Sequence, residues 1–177
     1  QTCPFFTMGD LSEQFMFCGP SKDRAGGSGS KFLNGDTLFA RITPCLENGK
    51  TGLVQTLEPG QVGRGSTEFI VFRGEAISSE MTYLLARDSV LRDHAAKSMV
   101  GASGRQRVRN ECFDDFHLAV ATPGLVKHFS SCIRPSFELV ALLERENVLL
   151  SKSRDLLLPR LVSGDLDVSD LDLEMVV

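Results

Sequence analysis

Residues 136–161 read SFELVALLERENVLLSKSRDLLLPRL. This stretch contains no glycine, and its apolar residues recur every seven positions. Ile133, Val140, Asn147, Arg154 and Leu161 form one series; Ser136, Leu143, Leu150 and Leu157 form a second, offset by three. These are the a and d positions of a helix that meets another helix. A third row, Leu142, Leu149 and Leu156, widens the apolar face beyond a narrow coiled-coil seam. Helical throughout, the stretch would span roughly 39 Å at 1.5 Å per residue, more than a small domain needs for its own core. An amphipathic core helix and a dimerising rod both fit this pattern. Asn147 favours the rod, because a polar a-position residue costs stability while specifying register and partner number.

Upstream, 1–133 carries the composition of one globular domain. Of the 177 residues, 42% are hydrophobic, enough for a core. No run approaches the eighteen or more apolar residues of a membrane span, and the start, QTCPFFTMGD, has no basic-then-apolar leader pattern. A soluble, cytoplasmic protein is therefore expected, and a start at Gln1 suggests an excised or processed fragment. The cysteines (Cys3, Cys18, Cys45, Cys112, Cys132) are scattered and odd in number, which predicts reduced thiols. The net charge of −4 is unevenly placed. Lys/Arg and Asp/Glu balance over 1–133, so the excess acid lies after residue 133, much of it in GDLDVSDLDLEMVV. Overall acidity thus does not exclude an anionic ligand for the globular part.

Along the chain, 1–35 is weakly patterned, with a strand-like QFMFC (14–18) and a turn-rich GPSKDRAGGSGSKFLNGD whose AGGSGS core reads as a mobile loop. TLFARI (37–42) is β-prone, with Leu38, Ala40 and Ile42 on one face and Phe39 and Arg41 on the other. TGLVQTL (51–57) and STEFIVFR (66–73) are two further strands around the turn-rich EPGQVGRG. Over 78–99 the spacing becomes helical, and Asp88-Ser89 breaks it and caps a second helix. ECFDDF is a helical turn, HLAVA (117–121) a last strand, and Thr122-Pro123-Gly124 a stop. LVKHFSSCI forms a short helix. Pro135 opens the long helix, and Pro159 ends or kinks it at Leu158. The sum is an α+β fold: a compact mixed sheet and helix domain (1–133), a long C-terminal coiled-coil-forming helix (134–163) and an acidic tail (164–177).

The sharpest charge feature is KSMVGASGRQRVR (97–109), with four basic residues and no acid. Gly101, Ser103 and Gly104 would let a ligand approach the backbone. Arg105, Gln106 and Arg107 supply donors for phosphates or base edges. A solvated basic turn is the alternative. In NGDTLFARITPCLENGK (34–50), Arg41 and Lys50 could face a polyanion, although two Asn-Gly turns in a meander explain most of the string. Catalysis is weakly signalled. Cys45, His94, His117 and His128 have suitable chemistry, but Cys45 lacks a nucleophile context and GASGR does not match a Gly-x-Ser-x-Gly elbow. No Walker loop, GxGxxG or HExxH motif points to a cofactor or metal.

GDTLFARITPCLENGKTGLV, GSTEFIVFR, GASGRQRV and RENVLLSKSRDLLLPRLVSGDLDV, in that order over about 34–168, resemble one half of the specificity subunit of bacterial type I restriction–modification systems. The resemblance implies a target recognition domain that reads one half of a split sequence in double-stranded DNA. It also implies a spacer helix that pairs with a second specificity half or second copy and docks modification and restriction subunits. Methyl transfer and its S-adenosylmethionine would belong to those partners, leaving this chain non-catalytic and without a cofactor. In that reading Lys97, Arg105 and Arg107 are first candidates for phosphates, Arg41 and Gln106 for base edges, with Lys50 and Ser103 beside them. Asp36, Pro44, Glu47 and Glu68 would stabilise turns. Ile133, Val140, Leu143, Asn147, Leu150, Leu157 and Leu161 would form the helix interface. The chain departs from the family over residues 1–33, and at TPGLVKHF, where many members carry Pro-Pro…Gln. An oligomerising scaffold that does not read DNA is the alternative function.

Overall fold

The structure is a computed structural model that describes residues 2–19, 22–25, 28–102 and 104–166. It divides into two compact units, Gln1–Glu138 and Leu139–Val177. In the first unit the strands are β1 (Thr2–Phe6), β2 (Phe17–Cys18), β3 (Lys22–Ala25), β4 (Ser30–Phe32), β5 (Thr37–Ala40), β6 (Thr51–Val54), β7 (Gly63–Gly65) and β8 (Phe69–Phe72). They form two four-stranded sheets, ordered β3-β1-β7-β4 and β2-β6-β5-β8. Each sheet is mixed: β1 runs parallel to β7 and β2 parallel to β6, and the other pairs are antiparallel.

β5 is buried on both faces, because its alternating residues enter different cores. Leu38 joins Phe6, Leu11, Phe32, Val54 and Phe69 between the sheets. Phe39 joins Leu46, Ile70, Ala86, Ala95 and Val108 beneath the helices. Around Phe39 the rings of Phe72 and Phe113 lie 5.4 and 6.4 Å away, and the Arg92 guanidinium sits 5.6 Å from its centroid. The buried Cys18 thiol donates to the Leu53 carbonyl at 3.4 Å. Burial, and secondarily the Asp10 carboxylate, pushes its pKa up to about 12, so it packs as a small apolar group.

The expected double helix over 78–99 is present as α1 (Ser79–Arg87) and α2 (Ser89–Lys97). Ser78 caps the first through the Met81 N–H at 3.3 Å, and Asp88 caps the second through Val90 N–H at 2.8 Å. Asp88 also closes α1 by donating its own N–H to Leu85, so one residue makes the break. Asn110–Phe113 forms the expected helical turn, of 3-10 type.

Several expectations need correction. HLAVA (117–121) forms no regular element; it joins neither sheet, and a strand needs a partner for its N–H and C=O groups. Thr122-Pro123-Gly124 starts the long helix: the Thr122 carbonyl accepts the Val126 N–H at 3.0 Å, with Pro123 at the first helical position. The rule for a first-turn proline thus applies to Pro123, while Pro135 lies within α3, which runs unbroken over Pro123–Ser163. Pro159 does not end α3 either. A proline deletes one N–H from the ladder, whereas the end is set by Gly164, at φ +77°, whose N–H reaches the Leu161 carbonyl. EPGQVGRG also contains β7, and the weakly patterned 1–35 holds β1, β3 and β4. Parts of AGGSGS and most of the acidic tail lie outside the described residues.

Within the first unit, the start of α3 is tied to α1. Arg134 Nε donates to Glu80 Oε1 at 3.1 Å, and Phe137 meets Tyr83 edge-on at 6.0 Å. Burial alone would raise the Glu80 pKa. Its own backbone N–H, the Ser78 hydroxyl and Arg134 outweigh that and hold it below the usual carboxylate range. In the second unit the helix exposes Val140, Leu142, Leu143, Leu149, Leu150, Leu156, Leu157 and Leu161, while Ile133 in the first unit is half-buried.

Candidate nucleic-acid interface

Two segments read separately in the sequence come together at the end of β5. Beyond Ala40 the backbone of Arg41 donates to Glu68 O at 3.0 Å and accepts from Val108 N at 2.9 Å. Thr43 N–H then donates to Gln106 O at 3.0 Å, so residues 106–108 lie as a ribbon against 41–43. Val100 and Arg107 exchange both backbone hydrogen bonds, at 2.9 and 3.0 Å, and Arg105 N–H turns back to Ala102 O. The basic stretch is therefore a closed loop whose base is sewn to β5 and whose Val108 is fully buried under Phe39. That burial aims Arg105, Gln106 and Arg107 from a fixed foot.

The basic side chains at this foot differ in freedom. Arg107 is committed: its Nε lies 2.9 Å from both Glu68 carboxylate oxygens and its Nη2 2.8 Å from Oε1. That bond, with the Glu68 charge, raises the guanidinium pKa further. Arg105 and Lys97 are exposed, and Gln106 is half-buried. Arg41 is half-buried, and its Nε is shut off from solvent with no hydrogen-bond partner among the described atoms. Lys50 is spent elsewhere, its Nζ donating to the Met8 carbonyl at 3.0 Å. Ser103 lies outside the described residues.

The expected scaffold residues Asp36 and Glu68 both hold arginines. Buried Asp36 takes Arg73 in a fork, at 2.7 Å to Oδ1 and 2.6 Å to Oδ2, and also accepts Leu33 N–H at 2.8 Å. The residues considered for catalysis are dispersed: His94 bonds the Cys112 carbonyl at 2.7 Å, and His117 bonds the Asp115 carbonyl at 3.0 Å. No group of three or more His, Cys, Asp or Glu side chains suited to a metal occurs among the described residues.

No family model matches the chain. Among curated proteins it is 35% identical over 89 residues to the Escherichia coli type I restriction enzyme EcoEI specificity subunit, covering 48% of this chain and 14% of that protein. It is 33% identical over 86 residues to the EcoAI specificity subunit of the same organism, again covering 48% and 14%. Over about half its length this chain is homologous to type I specificity subunits. The fold agrees over nearly the whole chain. An HsdS subunit from Thermoanaerobacter tengcongensis superposes with a TM-score of 0.59 at 16% identity, covering 98% of this chain and 45% of that one. A chain from work on complex assembly and conformational transition of the type I R-M system gives 0.57 at 17% identity, with the same coverage. The chain thus spans about one-seventh of the length of the specificity subunits it matches in sequence and under half of those it matches in structure.

Sequence reasoning missed Lys22, Arg24, Lys31 and Arg64, which strand pairing brings to one face of the sheet β3-β1-β7-β4. The alternation of Lys22 and Arg24 was the available signal, obscured by the turn-rich residues around it.

Proposed function

We propose that this chain is a non-catalytic DNA-recognition module that reads one half-site for a type I restriction–modification complex. Its homology to specificity subunits carries the proposal. The sewn-down loop at Arg41 and Gln106 supports it chemically, since base reading needs bidentate donors held from a rigid scaffold. Arg41 and Gln106 are the base-edge candidates. Arg105 and Lys97, exposed, are better phosphate ligands than Arg107, which Glu68 already neutralises. Lys50 is a structural residue, and Ser103 remains a backbone-approach candidate.

Residues 1–133 form the recognition domain in this reading, 134–163 the spacer helix and 164–177 an acidic appendage. The exposed positions Val140, Leu143, Asn147, Leu150, Leu157 and Leu161, with Ile133, pair with a second specificity half or a second copy. Leu142, Leu149 and Leu156 then remain for the modification subunits or for the chain's own domain. Methyl transfer with S-adenosylmethionine and DNA cleavage belong to partner subunits, and the chain works in the cytoplasm beside its DNA. No helix among the described residues is long and apolar enough to cross a membrane. The test is electrophoretic retention of a genomic fragment pool in the presence of the modification subunit. Selective retention of some fragments is expected, and uniform behaviour even at low salt would overturn the reading.

A further inference from the structure

We propose that the outer face of the sheet β3-β1-β7-β4 is the surface on which the phosphate backbone of duplex DNA docks. The proposal rests on the recognition reading above and assigns its sequence-independent affinity to residues outside the loop.

Residues directly opposite in a ladder share a face. Cys3 stands opposite Arg24, and Phe5 opposite both Lys22 and Arg64; Arg64 in turn stands opposite Lys31. Four cations from three strands therefore share one face, and no carboxylate occupies those ladder positions. Asp23 pairs with Pro4 on the opposite side. The inner face is closed by close packing: a Cβ on Gly63 would lie 2.5 Å from the Phe32 ring, and one on Gly65 2.7 Å from the Phe69 ring. Arg64, between them, must turn outward. Lys22, Arg24 and Lys31 are exposed, and the Arg24 guanidinium is held 4.4 Å above the Phe5 ring, which orders it on the face. A hollow of about 580 Å³ whose lining includes Cys3, Lys31 and Arg64, together with Pro4 of the opposite row, indents the same sheet.

The spacing suits a duplex. Lys22 and Arg24 are about 6.7 Å apart along the strand, and the edge strands β3 and β4 about 14 Å apart at roughly 4.8 Å per strand. That distance is close to the major-groove width of about 12 Å. Lys22 and Arg24 can thus meet phosphates on one side of a groove and Lys31 those on the other. Such contacts position the protein without reading sequence.

The experiment measures binding of the full chain to short duplexes of randomised sequence across a salt series. Each phosphate contact contributes about 0.9 to the slope of log affinity against log salt. Lys22→Gln, Arg24→Gln and Lys31→Gln together should flatten the slope by about 2.7 and weaken binding roughly 100-fold near 0.15 M salt, equally for all sequences. Lys22→Arg with Lys31→Arg should keep the slope, and Lys127→Gln on α3 should leave it unchanged. Circular dichroism reports whether the triple variant folds; if it does not, Lys22→Gln and Lys31→Gln singly should each remove about 0.9. A folded triple variant with the parent slope would overturn this face as the docking surface and leave the recognition reading standing. A loss confined to some sequences would also overturn it. Absence of duplex binding by the unsubstituted chain at low salt, with the modification subunit present, would remove both.

Discussion

Phe39→Ala tests whether the recognition loop depends on the core beneath it. Phe39 is fully buried and contacts two rings and a guanidinium, so truncation leaves a cavity that a rigid sheet cannot collapse. Phe→Ala in such sites costs about 3–5 kcal/mol. Against a total stability of roughly 5–15 kcal/mol, that is about a fifth or more, equivalent to a melting decrease on the order of 10–20 °C. Phe39→Leu keeps most of the volume and loses the ring pairs, each about 0.5–1.5 kcal/mol, so it should fall between. Urea unfolding followed by far-UV circular dichroism is the suitable assay, since the chain has no tryptophan and one tyrosine. Because Val108 packs in the same cluster as Phe39 and donates to Arg41, its amide should exchange faster in Phe39→Ala. A stability within about 1 kcal/mol of the parent, with Val108 exchange unchanged, would refute the idea that this core fixes the loop.

Glu68→Gln should release Arg107 from its carboxylate; the slope of log affinity against log salt on duplex DNA should steepen by up to about 0.9, and an unchanged slope would show that Arg107 faces no phosphate even when free. The Glu80–Arg134 pair predicts acid sensitivity. Because the folded pKa of Glu80 lies below its ordinary value of 4.5, its contribution is complete above about that pH and is lost as pH falls through the lower, folded value; Glu80→Gln should show a shallower loss of stability there, measured by urea unfolding at stepped pH. Asn147→Leu should strengthen helix pairing while loosening register or stoichiometry, and light scattering that found one unchanged species of unchanged stability would contradict it.

What was legible in the sequence was local. Period-seven apolar spacing identifies the long helix, Asp88-Ser89 identifies the break between α1 and α2, and the β-prone runs identify β5, β6 and β8, because each signal lies within a few residues of its consequence. The basic loop and Arg41 were visible as residue types. Their hydrogen-bonded union at the end of β5 was not, since it joins segments some sixty positions apart whose pairing leaves no periodic trace. Tertiary packing also left HLAVA outside both sheets, carried α3 through Pro135, and tied up Lys50 and Arg107 on Met8 and Glu68. The cationic face of β3, β1, β7 and β4 is wholly a product of register: strands of three to five residues carry too little pattern to be read singly. Composition and spacing thus determined the long helix, the break between α1 and α2, and the strands β5, β6 and β8. Only the three-dimensional pairing decided which charges stand together, because charge neighbours across a sheet are chosen by backbone hydrogen bonds rather than by order along the chain.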